Sequence, residues 1–356
     1  MLGAYSGDSI TTGYMNVAVG TDSLAAVTTG YENVAIGHDS LKVNTANQNT
    51  TVGSYAGTST TSGASNTFIG ASAGRANTTA ANNTAVGRNA LLVSTTAASN
   101  VAIGSNAMAA LTTADENVAI GTSALATNQT AIRNVAVGHE ALNASTTGYN
   151  NTALGSRSLN IVTDGFDNTA CGRSAGQFLT TGDNNTFLGR DAGNAQDNSS
   201  APALTTGSNV MCLGHEAVSS SATVSNEITL GDNDITSLRC NVQTISSLSD
   251  IRDKTGIEDL PYGLDFINDM RPVKFTWNRR DGSLGARPDM GFIAQELADV
   301  EATHSSASRT RLVNWENPAK LEADYARSYP ILVKALQELS TKCDALEARL
   351  ATLEGA

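Results

Sequence analysis

The sequence is poor in most of what builds a compact enzyme. Aromatic residues make up 5% of its 356 residues, proline occurs six times and cysteine four times. So few aromatics argue against a large globular core over much of the chain. The cysteines (Cys171, Cys212, Cys240 and Cys343) are widely spaced and form no Cys-x-x-Cys pair. That spacing argues against a disulfide framework and against a thiolate metal site. Basic residues are also scarce: 22 Lys and Arg stand against 34 Asp and Glu, a formal net charge of −12. Such a balance disfavours non-specific binding to nucleic acid or to an anionic membrane surface. No apolar run approaches the ~18 residues that a bilayer-spanning helix needs. The opening M-L-G-A-Y-S-G-D has neither the basic nor the apolar stretch of a signal peptide.

The shortage of charge is uneven. Residues 1–248 hold 8 Lys/Arg and 16 Asp/Glu, and residues 249–356 hold the other 14 and 18. Only Pro202 of the six prolines lies before residue 249. A domain boundary is therefore expected at or beside Ser249.

What fills the first part is a repeat. A box of Asn, Val or Thr, a small residue or Phe, an aliphatic residue and Gly ends at Gly20 and Gly37, and then at Gly53, Gly70, Gly87 and onward to Gly189. The steps are 17, 16 and then 17 each time. Gly3 fits upstream, and Gly214 and Gly231 fit downstream after eight extra residues around Pro202. Three positions after the glycine comes Ser or Ala, as at Ser23, Ser40, Ala56 and Ala73. A period this regular marks a stacked repeat, in which each unit buries its apolar face on its neighbours. The short box suits a strand and the glycine a turn with positive φ. The box Asn is expected either to form a ladder of side-chain amides or to adopt the left-handed conformation. At about 4.8 Å per coil the stack should reach roughly 60 Å. The near-absence of Pro fits an unbroken ladder. Residues 1–240 thus read as a parallel β-solenoid or β-roll. Val17 and Val19 should share a face, as should Val34 and Ile36, and because the last box position is always apolar that face is expected to be the interior. The intervening Ala is then expected to face a close neighbour. Cys171 and Cys212 read as small buried apolar residues.

The pattern N-V-A-[VI]-G-x-x-[SA] resembles the head repeat of trimeric autotransporter adhesins. That resemblance implies β-rolls packed around a threefold axis.

From Ser249 the text changes to S-D-I-R-D-K, then G-L-D-F-I (263–267), R-P-V-K-F-T-W (271–277), G-F-I-A-Q-E-L (291–297) and a closing helix expected over 321–354. Taken in this order, the motifs of residues 249–356 resemble the C-terminal intramolecular chaperone of phage endosialidase tailspikes and many tail fibres. The resemblance implies a homotrimer, a small α+β domain, and a catalytic pair at Ser249 and Lys254 that cuts the Leu248–Ser249 bond. Residues 241–248 would be the linker that carries the cut. The stretch R-R-D-G-S-L-G-A-R-P (279–288) has no role in this scheme. Chemically, a Ser hydroxyl needs a base, and a Lys can serve if burial lowers its pKa from about 10.4. Ser249 would attack the carbonyl one bond upstream, with proximity supplied by the chain itself. Asp250 and Arg252 read as partners within the loop. On spacing alone, the same residues would be a polar linker turn.

In the last helix Leu332, Leu336, Leu339, Cys343, Leu346, Leu350 and Leu353 step by 4 and 3 in alternation. This is a coiled-coil seam or, more plainly, the inner face of an amphipathic helix. The trimeric state comes from the resemblance, because an almost all-Leu seam does not fix strand number.

Weaker patterns also occur. His38, His139 and His215 each follow a box Gly and precede an acid. Across three copies they could hold an ion, but solvated surface histidines are the preferred reading. The threonines look scattered through loops, which argues against an ice-binding array. No paired carboxylates recur as a glycosidase would need. No cofactor and no metal is expected.

These readings converge on the distal part of a trimeric phage tail fibre or tailspike, mainly β, ending in a self-removing chaperone. It would be made in the host cytoplasm and carried on the virion tail. Its partners would be two further copies, other tail proteins and a host surface receptor, most simply a glycan, with no membrane insertion. The chain opens inside a repeat, which suggests a fragment or one chain of a segmented fibre. The alternative is the head of a bacterial cell-surface trimeric adhesin, disfavoured by the missing signal and anchor. A self-cleaving transcription factor would need a basic DNA-binding domain, which the sequence lacks.

Overall fold

A computed structural model describes residues 2–194, 203–232, 234–235, 237–239, 249–278, 287–304, 310–315 and 321–355. The chain divides into two compact units, 1–233 and 234–356. Cys240, the linker 241–248 and most of the R-R-D-G-S-L-G-A-R-P stretch lie outside the described residues.

The first unit is a parallel β-solenoid. Its thirteen strands run from β1 (Val17–Val19) to β13 (Glu227–Leu230), one per coil, and pair in strict chain order into a single sheet. The register is the repeat itself: Val17 pairs with Val34 and Val101 with Val118. Where one coil has 16 residues, Val34 still pairs with Thr50. Leu2 bridges to Val19, so the register of Gly3 is kept as well.

The box Asn forms the amide ladder. Asn100 Oδ1 accepts from the backbone N–H of Asn117 at 2.9 Å, and Asn117 Nδ2 donates to the Ala131 carbonyl at 2.9 Å. This repeats up to Asn185, which accepts from Val210 N–H. Buried amides are thereby satisfied on both ends. The box Asn itself is not left-handed, whereas the residue before it, such as Glu32 or Glu116, is. The box glycine is required twice over. Gly104 has φ +137°, and a Cβ there would lie 2.4 Å from the Gly121 carbonyl oxygen.

The interior differs from the expectation. The central box residue points inward, and the flanking Val, Ile and Leu point out. Ala18, Ala102 and Phe187 are fully buried, whereas Ile36 and Ile120 are each 38% exposed. The reason is volume. The coil is thin and its opposite wall already carries the Ser/Ala column and the buried Leu24, Leu91 and Leu125, leaving room for a methyl group. Where the centre is Phe, the wall gives way to glycine. Phe68 sits between Gly57 and Gly74, and Phe187 between Gly176 and Gly193. Cys171 is corrected with the rest of its column: it occupies a flanking position and is exposed, while Cys212 occupies a central one and is buried.

The threonines are in register, not scattered. Thr61 Oγ1 donates to the Thr78 carbonyl at 3.0 Å and Thr78 Oγ1 to Thr95 at 2.9 Å, and the column continues through Thr112, Thr146 and Thr163. Their hydroxyls are used to tie coil to coil.

The second unit is α+β. It holds α1 (Leu264–Asp269), a hairpin of β14 (Val273–Thr276) with β15 (Pro288–Gly291), α2 (Ala294–His304), a short hairpin of β16 (Val313–Asn314) with β17 (Glu322–Ala323), and α3 (Ser328–Glu354). Phe266, Leu297, Leu312 and Ile331 form its core. The final helix starts at Ser328, later than the expected 321. Glu322 and Ala323 pair instead with Asn314 and Val313, and Asp324 caps a 3-10 turn at Tyr325–Arg327.

Candidate active site

Ser249 is followed by Asp250, which caps the 3-10 turn Ile251–Asp253 by accepting from Arg252 N–H at 2.9 Å. Two backbone bonds close the turn: Asp253 N–H to the Asp250 carbonyl and Lys254 N–H to the Ile251 carbonyl, both 3.2 Å. One such turn brings residue 254 back beside residue 249. Lys254 Nζ donates to Ser249 Oγ at 2.7 Å, so the two groups named from the sequence are in hydrogen-bond contact. This is nucleophile-to-base distance. Both side chains are exposed in the single chain. Leu248, on the other side of the bond, lies outside the described residues.

The charges around the pair are neutralised locally. Arg252 Nε lies 3.0 and 3.1 Å from the two Asp250 oxygens. The guanidinium first, and the Arg252 backbone N–H second, hold the Asp250 carboxyl below the usual carboxylate range. Asp250 and Arg252 thus pair with each other and not with Lys254, among the described contacts. The capping role escaped the sequence reading. Asp after Ser and before a short turn was its only signal.

The remaining motifs of this unit hold one another. Arg271 ion-pairs with Glu296 (Nε–Oε2 3.0 Å). Val273 of the R-P-V-K-F-T-W run pairs with Gly291 of G-F-I-A-Q-E. Glu338 of α3 accepts from Leu264 N–H at 2.8 Å, capping the start of α1. Residues 249–305 match the family model for the chaperone of endosialidase. The match begins at Ser249 and includes Lys254, α1, both strands of the first hairpin and α2. The matched segment and the preceding parallel solenoid together fit a tail-fibre-like protein with an endosialidase-type trimerisation chaperone, and the matched family is one of self-cleaving, serine-peptidase-like chaperones. No curated protein and no solved structure matches the chain.

In the solenoid, His38, His139 and His215 are each about half exposed beside Asp39, Glu140 and Glu216. Asp191, His215 and Glu216 bring three ligand-type atoms close together. Arg190 already occupies that position: its Nη1 lies 2.9 Å from Asp191 and its Nη2 3.2 Å from Glu216, and it also touches His215. The cluster is an ion-pair network with its own cation. Among the described residues no helix is long and apolar enough to cross a membrane.

Proposed function

We propose that this chain is the distal part of a trimeric viral tail fibre or tailspike, whose C-terminal domain aligns three chains and then removes itself by cutting Leu248–Ser249. The observation that carries the cleavage is the 2.7 Å bond from Lys254 Nζ to Ser249 Oγ. A deprotonated Lys254 accepts the Ser249 proton as Oγ attacks the Leu248 carbonyl carbon. The proton then passes to the departing Ser249 amine, leaving an ester that water hydrolyses.

The exposure of the pair supports coupling to assembly. A lysine needs removal from water to lose its proton at neutral pH, and packing of further copies would supply it. The helix α3 offers the means. It grips its own domain through Ser328, Ile331 and Ala335 and leaves Leu332, Leu336, Leu339, Leu346, Leu350 and Leu353 exposed. That line is a free heptad seam. The solenoid would carry the receptor contacts on its loops, on a virion tail, with a surface glycan as the simplest receptor.

The test is denaturing electrophoresis of freshly made protein. The unaltered 36.7 kDa chain should appear as two pieces. Ser249→Ala should leave one full-length band, and so should Lys254→Arg, because a guanidinium stays charged at usable pH. Undiminished processing in Ser249→Ala would refute the assignment.

A further inference from the structure

The interior of the solenoid is not one core. Ala18, Leu24, Val27, Ala35 and Leu41 form one apolar cluster, and a second begins at Ala56 and Phe68 and runs to Val224. Between them lies the single coil of 16 residues, from Gly37 to Gly53. The inward positions of this coil are polar where those of its neighbours are apolar. Thr51 takes the central place that Ala35 holds one coil earlier and Phe68 one coil later, and Asn44 takes the place of Val27. Ser40, Asn44 and Thr51 are fully buried. Their hydrogen bonds are spent within the coil itself. Ser40 Oγ lies 2.7 Å from Thr51 Oγ1, Asn44 Nδ2 donates to the Ala46 carbonyl at 2.8 Å, and the Ala46 N–H donates to Asn44 Oδ1 at 3.0 Å. Beyond the short coil the Asn44 column stays polar through Thr60, Asn77 and Ser94 and turns apolar again at Leu111. Val27 therefore has no apolar successor in its own column for four coils.

We infer that the short coil is a joint, at which the coils before Gly37 open independently of the coils after Gly53. In a stacked repeat, cooperativity comes from the contact between each coil and the next. Elsewhere in this solenoid that contact combines backbone hydrogen bonds with buried apolar surface. Across the short coil the hydrogen bonds continue: the Val34 N–H donates to the Asn49 carbonyl at 2.8 Å and the Leu41 N–H to the Ala56 carbonyl at 3.0 Å. The apolar part thins to one spot beside Gly57, which has no side chain to fill it. The Thr51 methyl, Leu41 and Phe68 reach that spot from three directions, 3.1, 3.3 and 3.0 Å from where a Cβ would stand. Each hydrogen bond adds little net coupling, because the open coil regains it from water, whereas apolar burial is the dominant favourable contribution. The short coil is therefore the weakest link along the stack, and opening there leaves the downstream ladder closed.

Native-state hydrogen exchange of the full chain in rising urea, read by mass spectrometry, tests the joint. Peptides covering strands Val17–Val19 and Val34–Ile36 should lose protection together, and about tenfold faster than those covering the strands from Thr67–Ile69 to Thr186–Leu188. The step should fall at the short coil. Fraying from an end would instead give a gradient, with Val17–Val19 exchanging before Val34–Ile36. Ser40→Ala combined with Thr51→Val replaces both buried hydroxyls by apolar groups of similar size and makes the passage from Leu41 to Phe68 wholly apolar. This double variant should slow exchange in the two upstream strands towards the downstream rate. Should it fail to fold, the profile of the unaltered protein still decides. A gradient, a step at another coil or simultaneous exchange of all strands would overturn the joint, and so would a step that the double variant leaves unchanged.

Discussion

Two cysteines show how the fold sorts side chains one residue apart. Cys171 follows the central position of its strand and faces out, while Cys212 occupies the central position of the next strand but one and faces in. Burial, with the Glu227 charge second, pushes the Cys212 thiol up from its ordinary 9.0 to about 12. A raised thiol pKa means the folded chain keeps a proton that the unfolded chain releases. The stability is therefore full below about pH 9 and falls as pH rises from 9 towards 12. The urea midpoint of the solenoid should drop across that window, and Cys212→Ala should drop less over the same range. An equal drop in the two proteins would contradict the burial argument. At this scale the sequence pointed to two residues that the structure brings within 2.7 Å of each other, and it was blind to the backbone geometry around them. Ser249 and Lys254 stood out because ordered motifs surround them. Asp250 as a cap did not, since capping depends on backbone angles that residue types only hint at.

The coil is the element that the period describes, and alternation along a strand says which residues share a face without saying which face is inside. Val17 and Val19 do share a face, but it is the outer one. A readable signal was present. Each central Phe coincides with Gly four positions beyond the box on its own coil and on the coil before it (Gly57 and Gly74 at Phe68, Gly176 and Gly193 at Phe187), where most other coils carry Leu or Met, and a shared interior explains that exchange. A Cβ on Gly74 would come within 2.6 Å of the Phe68 ring. Gly74→Leu alone should therefore destabilise by about 1–3 kcal/mol through overpacking, and Phe68→Ala alone by about 3–5 kcal/mol through a cavity. The double variant restores the Ala–Leu pairing of other coils, and Leu41 and Leu91 show that this site accepts Leu at positive φ. A double-mutant cycle from denaturant midpoints should give a favourable coupling above about 1 kcal/mol. Additive effects would mean that the two side chains do not share one cavity. The Thr column was missed for a related reason: one short coil and single exceptions such as Gln129 blur a register that the hydrogen bonds make plain.

For the whole molecule, the split in charge and proline falls at residue 249, and the match to the chaperone family model begins at the same residue. What no single sequence displays is how chains meet, because exposed apolar lines are recognisable only once burial is known. Bringing several long, regular solenoids into one register is slow and prone to misalignment, because every coil offers nearly the same surface to its neighbour. A chaperone that first aligns three chains removes that difficulty. Expression of residues 1–248 alone should then give aggregated solenoid, even though the proposed cut would leave a fibre of the same residues. A soluble, well-defined oligomer of 1–248 made without the C-terminal unit would contradict the chaperone role.

The central claim is that the chain cuts itself at one bond, and the most direct measurement is the N-terminal sequence and intact mass of the fragments in freshly purified protein. The account predicts a small fragment that begins Ser249-Asp250-Ile251 and a large one that ends at Leu248. A single intact chain, or a small fragment beginning anywhere else, would contradict it.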